Sequence, residues 1–171
     1  MGGAAEAYNA RGVPEFSLDP YRQSPLRGRV LALDVGARRI GVAITDPLGI
    51  TAQGLDTIQR KNKRTDFAQL ESVIQKYEVT ELVVGYPLRL NGEIGIQAEK
   101  MTLFAEELKK KFPIPVHLFD ERLTSTEANR ILRESEISIE KRAAAVDRMA
   151  AVLILQAWME TRNWRESSPD P

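Results

Sequence analysis

The chain has 171 residues, 43% hydrophobic and 28% charged, with 24 Lys and Arg against 24 Asp and Glu. That length suits one domain with a real core, and zero net charge gives no compositional support for wholesale nucleic-acid binding, which local clusters would have to supply. With no cysteine and one histidine, His117, disulfides and thiolate or zinc clusters are excluded, and the absence of a signal-like or membrane-length apolar run points to the cytoplasm.

Residues 1–27 lack periodicity and carry Pro14, Pro20 and Pro25, so a flexible N-terminal arm is expected there. Three β-branched and aliphatic runs follow at 29–35, 40–45 and about 50–58, with turns at Gly36-Ala37-Arg38 and Asp46-Pro47-Leu48-Gly49. Short turns force antiparallel pairing, which predicts a three-stranded meander. A helix is then expected with Thr65 as N-cap and Phe67, Leu70, Ile74 and Tyr77 on one face. The strand Leu82-Val83-Val84 ends at Gly85 and leads into a loop with Pro87 and Asn91-Gly92. A helix at 96–111, a strand at 115–119, helices near 125–135 and 140–162, and a flexible tail at 163–171 complete the chain. The order βββαβαβαα implies an α/β domain over 28–162 with a five-stranded mixed sheet, three strands antiparallel and two parallel, flanked by helices. The first, fourth and fifth strands should then end at one edge, where open α/β sheets place their sites.

Asp34 ends the apolar run Val30-Leu31-Ala32-Leu33 at that edge. Burying an acid costs several kcal/mol, roughly, unless it is compensated, and a divalent cation compensates well. Asp-Val-Gly also starts turns for reasons unrelated to chemistry, so other acids must converge on it. Asp147 is one: at helical spacing its neighbours are Ala143, Ala144, Ala150 and Ala151, leaving no Lys or Arg for a surface pair, while Ile154 and Trp158 continue the same face. Small residues there let the helix backbone approach the sheet. Asp120 and Glu121 are adjacent, so a strand turns them to opposite faces and the pattern alone does not choose between them. Three acids of this kind suggest a carboxylate site for Mg²⁺ or Mn²⁺, one ion or two. His117 reads as a strand residue with a satisfied ring, and Phe67, Phe104 and Trp158 read as core. The run Arg60-Lys61-Asn62-Lys63-Arg64 contains four bases and no acid. A solvated loop explains it, yet Lys61, Lys63 and Arg64, with Arg38, Arg39 and Arg122, also offer phosphate contacts.

Asp34-Val-Gly-Ala-Arg-Arg-Ile-Gly-Val-Ala, Asp46-Pro-Leu-Gly, Val84-Gly-Tyr-Pro-Leu, Asp120-Glu-Arg-Leu-Thr and Val146-Asp-Arg-Met-Ala-Ala together resemble the YqgF/RuvX family of bacterial resolvases and pre-16S rRNA nucleases, in order and spacing over about 28–162. The resemblance implies an RNase H-like fold with Asp34, Glu121 and Asp147 as the catalytic, metal-holding triad, which favours Glu121 over Asp120. It implies a metal-dependent nuclease of nucleic acid, a pre-16S rRNA precursor before branched DNA, with pre-ribosomal particles as partners and no membrane. Monomer and homodimer both stay open. The chain departs from the family at Arg89-Leu90-Asn91-Gly92, where Asn-Met-Asp-Gly is common, and at Ala37, where a hydroxyl is frequent. Two other readings stand beside this one: a Holliday junction resolvase, and a non-catalytic nucleic-acid or ribosome-associated binding module. The Asp-x-Gly hairpin is shared with actin-like ATPases, but those need two such domains.

Overall fold

The computed structural model describes residues 28–87, 95–120 and 139–167, with the side chains of 139–144 and 163–167 outside that description. The elements are β1 (Arg29–Val35), β2 (Arg39–Thr45), β3 (Ala52–Gly54), β4 (Ile58–Gln59), α1 (Lys63–Tyr77), β5 (Val79–Tyr86), α2 (Ile96–Lys111), β6 (Val116–Asp120) and α3 (Ile139–Ser167). The expected helix at 125–135, the arm at 1–27, Glu121, Arg122 and the 89–92 departure lie outside the described residues. No described helix is long and apolar enough to cross a membrane.

One mixed sheet runs β3-β2-β1-β5-β6, with β4 also on β2. The hairpin pairs Leu31 with Ile44, Leu33 with Val42 and Asp34 with Gly41, antiparallel. β5 joins β1 in parallel, Leu33 beside Val84, and β6 joins β5 in parallel, Val84 beside Leu118 and Tyr86 beside Asp120. These parallel registers bring the ends of β1, β5 and β6 to one edge, as the sequence predicts. The expected third strand at 50–58 is instead two short pieces, and among the described residues the sheet has six strands. Gly54 and Asp56 are poor strand formers. The amide of Leu55 still donates to the Val42 carbonyl at 2.9 Å, keeping the interrupted segment on β2.

Alternation along the strands builds two cores. On one face, Leu31, Leu33, Ile40, Val42, Ile44, Leu82 and Val84 pack with Phe67 and Leu70 of α1 and Phe104 and Leu108 of α2. Phe67 and Phe104 stack at 5.6 Å, so both are core aromatics. On the other, Val30, Ala32, Ala43 and Val83 pack with Ala151, Ile154, Leu155 and Met159 of α3.

Two helix boundaries differ from expectation. The N-cap of α1 is Asn62, whose side chain accepts from the Thr65 amide at 3.0 Å; Asn caps better than Thr, and Thr65 supplies one of the amides being satisfied. α3 runs to Ser167, five residues past the expected end at 162, because no Gly or Pro interrupts 163–167.

Candidate active site

Asp34 stands at the end of β1 on the α3 face, two positions beyond Ala32. Its cross-strand partner is Gly41. A Cβ on Gly41 would overlap the Asp147 carbonyl group, so the α3 backbone rests directly on this glycine. Glycine is required there because any side chain would lift the helix. The contact delivers Asp147 to Asp34 across a single strand-to-strand step.

The electrostatics record that proximity. Burial first, and then the negative charge of Asp147, push the Asp34 carboxyl up from 3.8 to about 6. Asp147 is itself held by Arg39 of β2, whose Nε donates to its Oδ2 at 2.6 Å in a half-buried pair. The surface pair that the helix could not supply is thus supplied by the strand. The bond uses the Nε of Arg39, and its two Nη nitrogens are further donors of the same planar guanidinium.

Asp120 is exposed and does not share the face of Asp34. Phe119 of β6 packs on the α3 side and Val116 on the α1/α2 side, so strand alternation turns Asp120 toward the latter. His117 meets Glu81, with Nε2 and Oε2 3.0 Å apart, and its ring lies tilted against Trp158 with centroids 5.7 Å apart; the ring is satisfied, as the sequence suggests. Among the described residues no group of three His, Cys, Asp or Glu side chains is placed to hold a metal ion. Two mutually repelling carboxylates with no softer donor nearby nevertheless form a set suited to a hard divalent cation.

Of the basic candidates, Arg38 lies exposed in the turn beside Asp34, and Lys61 and Arg64 are exposed at the start of α1. Lys63 pairs with Glu107 at 2.6 Å. Sequence reasoning passed over Arg60. Its Nη1 donates to the Gly36 carbonyl at 2.7 Å, its Nε to Asp66 at 3.4 Å, and its amide to the Arg38 carbonyl at 2.9 Å, which pins the turn after Asp34 to the first turn of α1. The sequence carries no signal for it, because the burial of Asp66, which demands donors close by, is visible only in the fold.

The family model described as "RuvX: Holliday junction resolvase" matches residues 28–161. The chain belongs to the RuvX family. It is accordingly a hydrolase of the nuclease class. A Koribacter versatilis relative with the provisional name of pre-16S rRNA nuclease is 60% identical over 146 residues, covering 85% of this chain and 95% of its own. A Moorella thermoacetica relative with the same provisional name is 48% identical over 132 residues, covering 77% and 94%. In fold, the fowlpox virus resolvase solved with Holliday junction DNA is similar at a TM-score of 0.50 and 11% identity, covering 78% of this family member and 97% of the viral chain. The mixed sheet with helices on both faces is the RNase H-like fold expected.

Proposed function

We propose that the protein is a divalent-metal-dependent endonuclease of the cytoplasm that processes the 5′ end of pre-16S rRNA, with residues 28–162 as the nuclease domain and Asp34, Asp147 and Glu121 as its acids. The observation that carries the reading is the convergence of Asp34 and Asp147 on Gly41, close enough that one carboxylate raises the other. The names of the relatives favour the RNA substrate. Glu121 rests on the family resemblance and on Asp120 facing away from Asp34.

Bound Mg²⁺ or Mn²⁺, held by these acids, would supply Lewis acidity and a water of lowered pKa. In hydrolysis a water oxygen forms a bond to phosphorus, the ester P–O bond breaks, and the departing oxygen takes up a proton. Asp34, half-buried at the end of β1 with Asp147 of α3 beside it, would hold the cation at a fixed place relative to the sheet edge, where the reacting phosphate meets it. Arg39, oriented by Asp147, neutralises a non-bridging phosphate oxygen, and Arg38 a flanking one. Lys61, Lys63 and Arg64 extend the cationic path along the same edge. Pre-ribosomal particles are the setting in which such a precursor would be met.

The test pairs wild type with Asp147→Asn on a 5′-extended 16S precursor RNA and on a four-way DNA junction, in Mg²⁺, in Mn²⁺ and in EDTA. Metal-dependent cutting of the RNA, lost in the variant, is expected. The second reading, a Holliday junction resolvase, is favoured by the description of the family model. Cutting confined to the junction would replace the first reading with it, and binding of either substrate without any cutting would sink both.

A further inference from the structure

On the α1/α2 side of the same edge, immediately beyond the turn that follows Asp34, lies a cleft of about 550 Å³. That is within the ~300–1,000 Å³ range of small-molecule sites. Its inner end is Val35-Gly36-Ala37 and its floor is apolar, from Phe67, Met101 and Phe104. Gly36 opens the turn that follows β1, two residues beyond Asp34, so the cleft meets the edge that carries this acid from the opposite face of the sheet.

The rim carries Arg60, Lys61 and Lys63 from the entry to α1, and Lys100 from α2, against the acids Asp66 and Glu107. Both acids are already engaged. Asp66 accepts from the Lys61 amide at 2.9 Å and from Arg60, and Glu107 accepts from Lys63. The surplus positive charge therefore belongs to Lys61 and Lys100, which are exposed and make no ion pair among the described residues. On a chain of zero net charge, two uncompensated ammonium groups lining one cleft next to the turn that follows Asp34 are a local feature of the kind that phosphates seek. Arg60 ties the cleft rim to the turn through its bond to the Gly36 carbonyl.

We propose that this cleft holds single-stranded nucleotides flanking the scissile phosphate, with Lys61 and Lys100 on the phosphates and the apolar floor beneath a base or sugar. The proposal rests on the nuclease reading and deepens it, because a duplex could place a strand in the cleft only by unpairing.

The test is binding rather than cleavage: fluorescence anisotropy of a short single-stranded RNA in EDTA, over a series of salt concentrations, with the full chain. In Lys61→Gln/Lys100→Gln, affinity is expected to fall about tenfold, or about 1.4 kcal/mol. The slope of log K against log salt should shrink by about 1.4, at about 0.7 per single-strand phosphate contact. A control, Lys76→Gln/Lys110→Gln, changes two exposed lysines outside the cleft and should bind as wild type does. A four-way DNA junction should lose little affinity in the cleft variant. The proposal is overturned by unchanged affinity and slope in the cleft variant, an equal loss in the control or on the junction, no wild-type binding of the RNA, or competition by adenosine monophosphate as strong as by the oligonucleotide. Because no cutting is measured, a protein that binds RNA through the cleft yet cleaves nothing would retain this site and lose the nuclease reading alone.

Discussion

The two faces of the sheet are built from different sizes of residue, and the difference separates stability from chemistry. The α1/α2 face is lined by Leu31, Leu33, Ile40, Ile44, Phe67, Leu70 and Leu108, large side chains that hold their helices off the strands. The α3 face has Ala32, Ala43 and Ala151, with Gly41 at the point of contact, so backbone lies against backbone. Large residues bury more apolar area and stabilise more. Small ones give up some of that stabilisation and in return bring an acid of the helix within reach of an acid of the strand.

This contrast can be broken from either side. Asp34→Asn removes one acid of the thin face without changing its volume, and cleavage should fall by at least about 100-fold, given that even outer-shell partners of metal ligands cost 10–100-fold; a rate within a factor of three of wild type would reject the mechanism. Gly41→Val forces a side chain into the space of the Asp147 carbonyl. Cleavage should drop about 100-fold, the scale of a 1 Å misplacement, while thermal unfolding shows a folded protein of lower Tm. An active Gly41→Val protein would show that the close approach is not needed.

On the thick face the outcomes should reverse. Leu108→Ala, at a fully buried position, should cost about 2–5 kcal/mol and lower Tm by about 2–4 °C per kcal/mol, yet leave kcat/KM within a few-fold of wild type well below the transition. A large loss of rate there would mean that the two faces are coupled.

The smallest effect is the pH dependence of stability in EDTA. The Asp34 carboxyl ionises near 6 in the folded protein and near 3.8 when unfolded. The folded state therefore holds a proton that the unfolded state has lost between those values. Stability from this group is full below about pH 4 and declines as pH rises through about 6, by a total of about 1–3 kcal/mol. Chemical denaturation of Asp34→Asn should lack that decline, and a variant whose stability falls in parallel with wild type would remove Asp34 as its source.

Much of this was readable in the residues. The hairpin, the parallel strands and the shared edge followed from turn lengths and helical crossovers, and Asp147 stood out because its helix offered it no cation. What periodicity could not reach was distance between elements. Arg39 looked like a phosphate ligand, and only the folded sheet shows its Nε bound to Asp147. Strand pattern alone left Asp120 and Glu121 equivalent and only the family resemblance favoured Glu121, while the packing of Val116 and Phe119 shows which face Asp120 takes. Lys100 had no distinguishing context in its helix, since its neighbour in the cleft, Lys61, comes from another element. The broken third strand was missed because Gly54 and Asp56 were averaged into a β-rich window, where Gly54 in fact makes room for the aliphatic stem of Arg148.

The bond between Arg39 and Asp147 closes a loop of 108 residues. Contacts of such sequence separation cost the most loop-closure entropy, and elements made first in synthesis fold first. The hairpin that carries Asp34 can thus form on the nascent chain long before α3 exists. The approach of Asp147 to Asp34 is therefore completed only after the last described helix has been made, so the two acids meet late in folding although one of them belongs to the first hairpin.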